Sequence, residues 1–130
     1  MKELRVIIAG SRDFNDYKLL KKTCMEIICK KTALPDLTII VSGGARGADK
    51  LGEQFANDIG LEIVRFIPNW DSLGKRVGYV RNEEMAKFAV EQGNDGMLIA
   101  FWDGASRGTK HMIDLAHKHG LEVHVVNFKE

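Results

Sequence analysis

The sequence predicts an α/β fold: a five-stranded parallel sheet in the order 3-2-1-4-5, with helices on both faces. Three observations predict it. Apolar, β-branched runs alternate along the chain with segments whose apolar residues recur at helical spacing. The runs are nearly continuous in apolar residues, as in Val6-Ile-Ile-Ala9, which suits strands covered on both sides. Three of them, residues 4–9, 37–41 and 97–101, run directly into polar turns containing glycine. Right-handed crossovers then place helices on the two faces. With 130 residues, 45% of them hydrophobic, the expected organisation is one domain spanning residues 1–130.

The elements follow in order. Strand 4–9 leads through Gly10-Ser-Arg-Asp-Phe14 to a helix over 16–31, whose apolar face is Leu20, Cys24, Ile27 and Ile28. Its lysines, at 18, 21, 22, 30 and 31, read as a solvated face rather than a nucleic-acid patch. Pro35 blocks further helix. Strand 37–41 precedes a helix over 48–59, in which Ala48, Leu51, Gly52, Phe55, Ala56 and Ile59 share one face. Gly60 ends that helix as a left-handed cap, and strand 61–66 begins at once. Residues 67–79, with Pro68, Trp70, Gly74, Lys75, Arg76 and Gly78, form the longest irregular stretch, a length usually tied to function or mobility. Helix 80–92, strand 97–101, helix 109–119 and strand 122–126 complete the chain. Gly120-Leu-Glu-Val-His124 repeats the junction seen at Gly60-Leu-Glu-Ile-Val64. Strand order reverses between strands 4–9 and 97–101, and open α/β sheets bind ligands at such a point.

Three turns reach that edge. The most informative is Ser42-Gly-Gly-Ala-Arg-Gly-Ala-Asp49. Glycine lets backbone approach a ligand, and a helix N-terminus offers free N–H groups and a favourable dipole to an anion. Arg46 adds a fork of donors that fits phosphate or carboxylate. Ser42, Gly44 and Gly47 stand where a dinucleotide fingerprint has three glycines, and no Gly-Lys-Ser/Thr closes a Walker A loop. Alone, the segment also admits a reading as a tight turn that binds nothing, with the anion site the favoured one. The pattern recurs, however, at Gly10, Ser11 and Arg12, and again in Trp102-Asp-Gly-Ala-Ser-Arg-Gly-Thr109. Each turn carries glycine, serine and arginine. The expected ligand-binding set is therefore Gly10, Ser11, Arg12, Ser42, Gly43, Gly44, Ala45, Arg46, Gly47, Asp49, Asp103, Gly104, Ser106, Gly108 and Thr109. Asp49 either caps its helix or holds a ribose hydroxyl. Trp70 and Trp102 flank two ligand-side turns and either stack on a base or serve packing or a dimer contact. His111 reads as a surface or capping residue, with catalysis as the less favoured role. Asp13, Asp71 and Asp103 lack metal-ligand spacing, so no metal and no cofactor are expected.

Charge and cysteine content narrow the class. A formal net charge of +1 is small for a protein that relies on non-specific nucleic-acid contact. Cys24 and Cys29 point about 140° apart on one helix and cannot pair there. Both are expected as buried, reduced thiols of a cytoplasmic protein. Met1-Lys-Glu-Leu-Arg5 is polar, and no apolar run approaches the ~20 residues of a membrane span.

Several motifs together resemble the YspA-type branch of the SLOG superfamily: Gly10-Ser-Arg-Asp-Phe14, Ser42 to Asp49, Asn69-Trp70, Gly74-Lys75, Arg81-Asn-Glu-Glu-Met85, and Phe101 to Thr109. That superfamily also holds the LOG phosphoribohydrolases and the DNA-processing protein DprA. The resemblance covers nearly the whole chain and implies a Rossmann-like fold that binds nucleotide-derived ligands. It adds Arg81 and Asn82 to the expected site, with Trp70. The phosphoribohydrolases carry Arg-Lys-x-x-Met; here Arg81 matches, as the one catalytic candidate, and Asn82 replaces the lysine. They also carry Pro-Gly-Gly-x-Gly-Thr-x-x-Glu; here Gly108 and Thr109 match, and Met112 stands where the catalytic glutamate would be. A thioether cannot do the work of a carboxylate. Glu83, Asp103, Asp114 or His111 could substitute only from other positions. The expected function is binding of a phosphorylated, nucleotide-derived small molecule, ADP-ribose-like or a nucleoside phosphate, by a sensor or sequestering module. Cleavage of a nucleotide N-glycosidic bond is the alternative. DNA handling of the DprA kind is disfavoured by the near-neutral charge. A homo-oligomer is left open.

Overall fold

Val6, Ile7 and Ile8 follow one another in sequence and are all buried, so β1 (Leu4–Gly10) is covered on both faces. This strand sits at the centre of the sheet. The computed structural model describes residues 2–32, 37–67 and 77–129. β2 (Thr38–Ser42) and β4 (Asp95–Trp102) flank β1, and β3 (Glu62–Arg65) and β5 (Glu122–Asn127) form the edges. Every pairing is parallel, in the order β3-β2-β1-β4-β5, with Val6 opposite Ile40 on one side and Met97 on the other. The expected order and its reversal between β1 and β4 are thus both present.

Side-chain alternation divides the core into two layers. Val6, Ile8, Ile40, Met97, Ile99 and Phe101 face α1 (Tyr17–Lys31) and α2 (Ala48–Ile59), meeting Leu20, Cys24 and Phe55. Ile7, Val41, Leu98 and Ala100 face α3 (Val77–Val90) and α4 (Arg107–Lys118), meeting Met85, Ala89, Met112 and Ala116. Asp16 starts α1 by accepting the Leu19 N–H at 3.1 Å. Gly60 ends α2 in the left-handed region, at φ 78° and ψ 31°, and Gly120, just after the His119 C-cap of α4, takes φ 79°.

Several boundaries differ from the sequence expectation. α3 begins at Val77, so Gly78 belongs to a helix rather than to the irregular stretch. It ends at Val90 and passes into a short 3-10 turn, Glu91–Gly93, because Gln92 and Gly93 take positive φ of 58° and 77°. α4 starts two residues early, at Arg107, with Ser106 at its N-cap. β4 extends to Asp95–Trp102, and β3 shrinks to Glu62–Arg65. Cys24 is buried, its thiol pushed up to about 12 by desolvation, but Cys29 is exposed. The 140° angle between them puts only one on the core face. Pro35, Pro68, Trp70, Asp71, Gly74, Lys75 and Arg76 lie outside the described residues. Among the described residues no helix is long and apolar enough to cross a membrane.

Candidate functional site

β1, β2 and β4 end along one edge of the sheet, and backbone contacts lace their three turns together. Ser11, just after β1, donates its N–H to the Phe101 carbonyl at 3.0 Å. Its hydroxyl accepts the Asp103 N–H at 3.1 Å. Its own carbonyl accepts the Ala48 N–H at 3.4 Å, at the start of α2. Two glycines make close approaches: a Cβ at Gly10 would lie 2.2 Å from the Phe101 carbonyl oxygen, and one at Gly47 would lie 2.4 Å from the Ser11 carbonyl oxygen and 2.6 Å from that of Arg12.

The turn after β2 is held from within. The Gly44 N–H donates to the Ser42 hydroxyl at 3.1 Å, and the Ala45 N–H to Asp49 Oδ2 at 3.3 Å. Two backbone donors that the sequence reading reserved for a ligand are therefore already engaged. The turn after β4 is different. Asp103 Oδ1 accepts the N–H groups of Ala105 and Ser106, at 2.9 and 2.8 Å, and these bonds hold its carboxyl below the usual range. Trp102 Nε1 donates to the Ser106 carbonyl at 3.0 Å, which fixes the indole against the turn. Ser106 makes no side-chain capping bond, so the first N–H groups of α4 are not capped from the side chain before them. Beside them Gly108 leaves open space, with no atom within 4 Å of where a Cβ would stand.

Three hollows meet at these turns. A cleft of about 660 Å³ is lined by Ser11, Arg12, Asp13, Arg46, Asp103, Ser106 and Gly108. A second, of about 370 Å³, is lined by Arg12, Arg46, Arg81, Ile67 and the Gly43–Ala45 backbone. A narrower one, of about 80 Å³, includes Asp49, Arg81, Asn82, Thr109 and Met112. Arg12 borders all three. Arg12 and Arg46 are exposed, and neither forms an ion pair among the described residues. Gly104 stands at the edge of the third turn with φ 85°, where a Cβ would lie 3.7 Å from Asn127 Nδ2.

Arg81 and Asn82 come from α3. Arg81 donates to the Gly43 carbonyl at 2.9 Å and to Asn82 Oδ1 at 3.3 Å, so it braces the second turn. Burial pulls its pKa down, and the Asp49 carboxylate opposes that shift. Asn82 donates to the Gly108 carbonyl at 3.3 Å and lies 3.2 Å from His111 Nδ1, joining α3 to α4. His111 packs edge-on against Tyr79, with ring centroids 4.4 Å apart, and desolvation pulls its pKa down.

The other groups considered as substitutes for the missing glutamate are committed elsewhere. Glu83 meets His119 at 3.3 Å and Lys87 at 3.8 Å, Asp114 meets Lys110 at 3.0 Å, and Asp103 holds its own turn. The carboxylate that shares the narrow hollow with Met112 is Asp49, which the sequence reading treated only as a cap or a ribose ligand. It does not cap α2; Gly47 occupies the N-cap, and Asp49 reaches back to Ala45. The signal was available: Asp49 precedes Gly52 by three residues and Ala56 by seven, which places it toward the buried side of the helix. Among the described residues no cluster of His, Cys, Asp and Glu could hold a metal ion.

Asp49 is only 4% exposed, and burial pushes its pKa up to about 6 from 3.8. Arg81, the Ala45 N–H and Arg12 pull it back, while Glu53 pushes it further up. The folded state therefore binds the proton more tightly than the unfolded state. The stabilisation from protonated Asp49 is complete below about pH 4 and is lost as pH rises through about 6. Asp49→Asn is expected to exceed the wild type in stability at pH 7.5 by about 1–3 kcal/mol, with the gap closing toward pH 4. Denaturant unfolding of both proteins across that range checks it; a gap independent of pH would contradict the assignment.

Comparison with known proteins places this edge in context. Residues 4–72 match the model of the YspA, cpYpsA-related SLOG family. The chain is 33% identical over 129 residues to the Gene 61 protein of Mycobacterium phage D29, covering 95% of each. The solved structure of TM1055, a structural-genomics target, is similar with a TM-score of 0.59 at 19% identity, over 95% of this chain and 72% of that one. DNA processing protein A (DprA) from Streptococcus pneumoniae is similar with a TM-score of 0.52 at 18% identity, over 94% of this chain and 58% of DprA. At these identities the two structures share the fold.

Proposed function

The chain belongs to the YspA, cpYpsA-related SLOG family, and we propose that it binds a phosphorylated, nucleotide-derived small molecule as a sensor or sequestering module. One observation carries the reading: Arg12 and Arg46, from two different turns, border one cleft together with Ser106 and Gly108 at the start of α4. Two guanidinium-bearing side chains bordering the same cleft as a helix N-terminus suit a phosphate or diphosphate. Because the Gly44 and Ala45 N–H groups are engaged within their own turn, the anion is assigned to the α4 side of the cleft. The volumes of 660 and 370 Å³ lie in the range of small-molecule sites. An exposed free Cys29 fits a reducing cytoplasm.

Calorimetry with nucleoside monophosphates and ADP-ribose tests the reading. Arg46→Ala is expected to weaken binding by about 1.5–3 kcal/mol, as for loss of a charge-assisted hydrogen bond. Its unfolding midpoint should hardly move, since the side chain is exposed. Equal affinity in variant and wild type would remove Arg46 from the site, and no binding of any nucleotide would overturn the reading. A single-stranded oligonucleotide in the same titration covers the DNA alternative, against which a net charge of +1 argues.

A further inference from the structure

Glu53 is an unexpected residue at its position. It lies in α2 among Ala48, Gly52, Phe55 and Ala56, and it is 7% exposed. A carboxylate so placed is costly unless each oxygen finds a partner, and a leucine would fill the same space without that cost. Both oxygens have partners. Oε2 accepts the Ser42 hydroxyl at 2.7 Å, and Oε1 takes Arg65 Nε at 3.0 Å, with Lys50 Nζ at 4.0 Å. Ser42 is itself 1% exposed.

A serine hydroxyl has one hydrogen. With that hydrogen committed to Glu53, the oxygen presents only lone pairs to the turn, and the Gly44 N–H donates to it at 3.1 Å. The direction of the whole chain of bonds is therefore set by the acceptor oxygen that Glu53 presents to Ser42. Gly44 takes φ 74°, at the wall of the 370 Å³ hollow. The same serine's carbonyl accepts the Phe66 N–H at 2.8 Å, just beyond β3. Arg65, at the end of β3, is thus tied to the turn by two routes, one through its own backbone neighbour and one through Glu53.

We infer that Glu53 is a positioning residue for the ligand-side turn, acting through Ser42 on the conformation of Gly44. This inference rests on the binding function proposed above, because it assigns the work of a residue that touches no ligand-side hollow. Glu53 imposes a direction that an apolar residue could not. Its charge is paired with Arg65 at 3.0 Å and, more distantly, with Lys50 at 4.0 Å.

The test combines amide hydrogen exchange at Gly44 with calorimetry on adenosine monophosphate and ADP-ribose, for Glu53→Gln, Glu53→Leu, Ser42→Ala and the double variant Ser42→Ala/Glu53→Leu. Gln keeps an acceptor for the Ser42 hydroxyl and should leave both readouts near wild type. Glu53→Leu and Ser42→Ala should each speed Gly44 exchange and weaken nucleotide affinity by roughly five- to tenfold, the effect of one lost hydrogen bond. The double variant should be no worse than either single, since both break one relay. Wild-type exchange at Gly44 in Glu53→Leu, or losses that multiply in the double variant, would overturn the inference. If no nucleotide binds the wild type, the proposed function fails, and Gly44 exchange still decides the role of Glu53 by itself.

Discussion

Gly47→Ala is expected to remove about 2–5 kcal/mol of folding stability, the sum of a backbone penalty and an overpacking penalty. Gly47 holds φ 82° and ψ −130°, a conformation open to glycine and hostile to a residue with Cβ. A Cβ would also stand 2.4 Å from the Ser11 carbonyl oxygen and 2.6 Å from that of Arg12. Those are backbone atoms of a neighbouring turn, which cannot step aside as a flexible side chain could. Moving them would break the Ala48 N–H bond to Ser11 and loosen the start of α2. Gly60→Ala supplies the control. Gly60 has nearly the same φ, 78°, but nothing lies within 4 Å of its Cβ position. It should lose only the left-handed cost, about 1–2 kcal/mol. Guanidinium unfolding of both variants separates close approach from backbone strain. Equal losses would mean that the first two turns are not held together in the way the hydrogen bonds indicate.

That contrast also marks what could be read from the residues alone. Strand order and the reversal beside β1 were legible because Val6-Ile-Ile-Ala9 needs cover on both faces and because three apolar runs end in polar glycine turns. The left-handed caps at Gly60 and Gly120 were legible because a local rule governs them. The positions of Gln92 and Gly78 were not. Gln92 turns left-handed although it is not glycine, a choice made by the way α3 must hand over to β4. Gly78 lies inside a helix that its intrinsic propensity disfavours.

The site divides in the same way. Residue types and turn positions brought Arg12, Arg46, Ser106 and Gly108 to one cleft. The spacing could not say which N–H groups are spent. Ser42, Asp49 and Asp103 each have side chains that can satisfy a nearby backbone group, and only the folded geometry reveals which one they choose. Glu53 escaped notice for a related reason. Its spacing puts it beside the apolar stripe of α2, where charge normally marks the wet face, and its partners Ser42 and Arg65 come from two different strands.

Met112→Glu is the other substitution with a large expected effect. Met112 is 1% exposed and packs in the layer between the sheet and α4, yet it also borders the narrow hollow with Asp49 and Arg81. A carboxylate there loses most of its water and shares the hollow with another acid. Its pKa should rise well above that of an unfolded glutamate, so the variant should match the wild type most closely at low pH. As pH rises through the elevated pKa, the penalty should grow to about 2–4 kcal/mol near neutrality. The chemical readout is independent of the stability readout. The wild type is expected to release no free base from adenosine monophosphate or ADP-ribose, because a methionine stands where the phosphoribohydrolases that the sequence resembles carry a glutamate. Met112→Glu should gain a low rate of release, since acid–base help from one placed group is worth ~10²–10⁴-fold. Arg81→Ala on that background should abolish it, because Arg81 is the cation lining the same hollow that α3 supplies. Chromatography of the products follows the wild type, Met112→Glu, the double variant and Arg81→Ala alone. Steady release by the wild type, lost in Arg81→Ala alone, would make the chain a hydrolase that does not need a carboxylate at position 112. In that event Asp49, the acid already present in the hollow, would be the group to replace next.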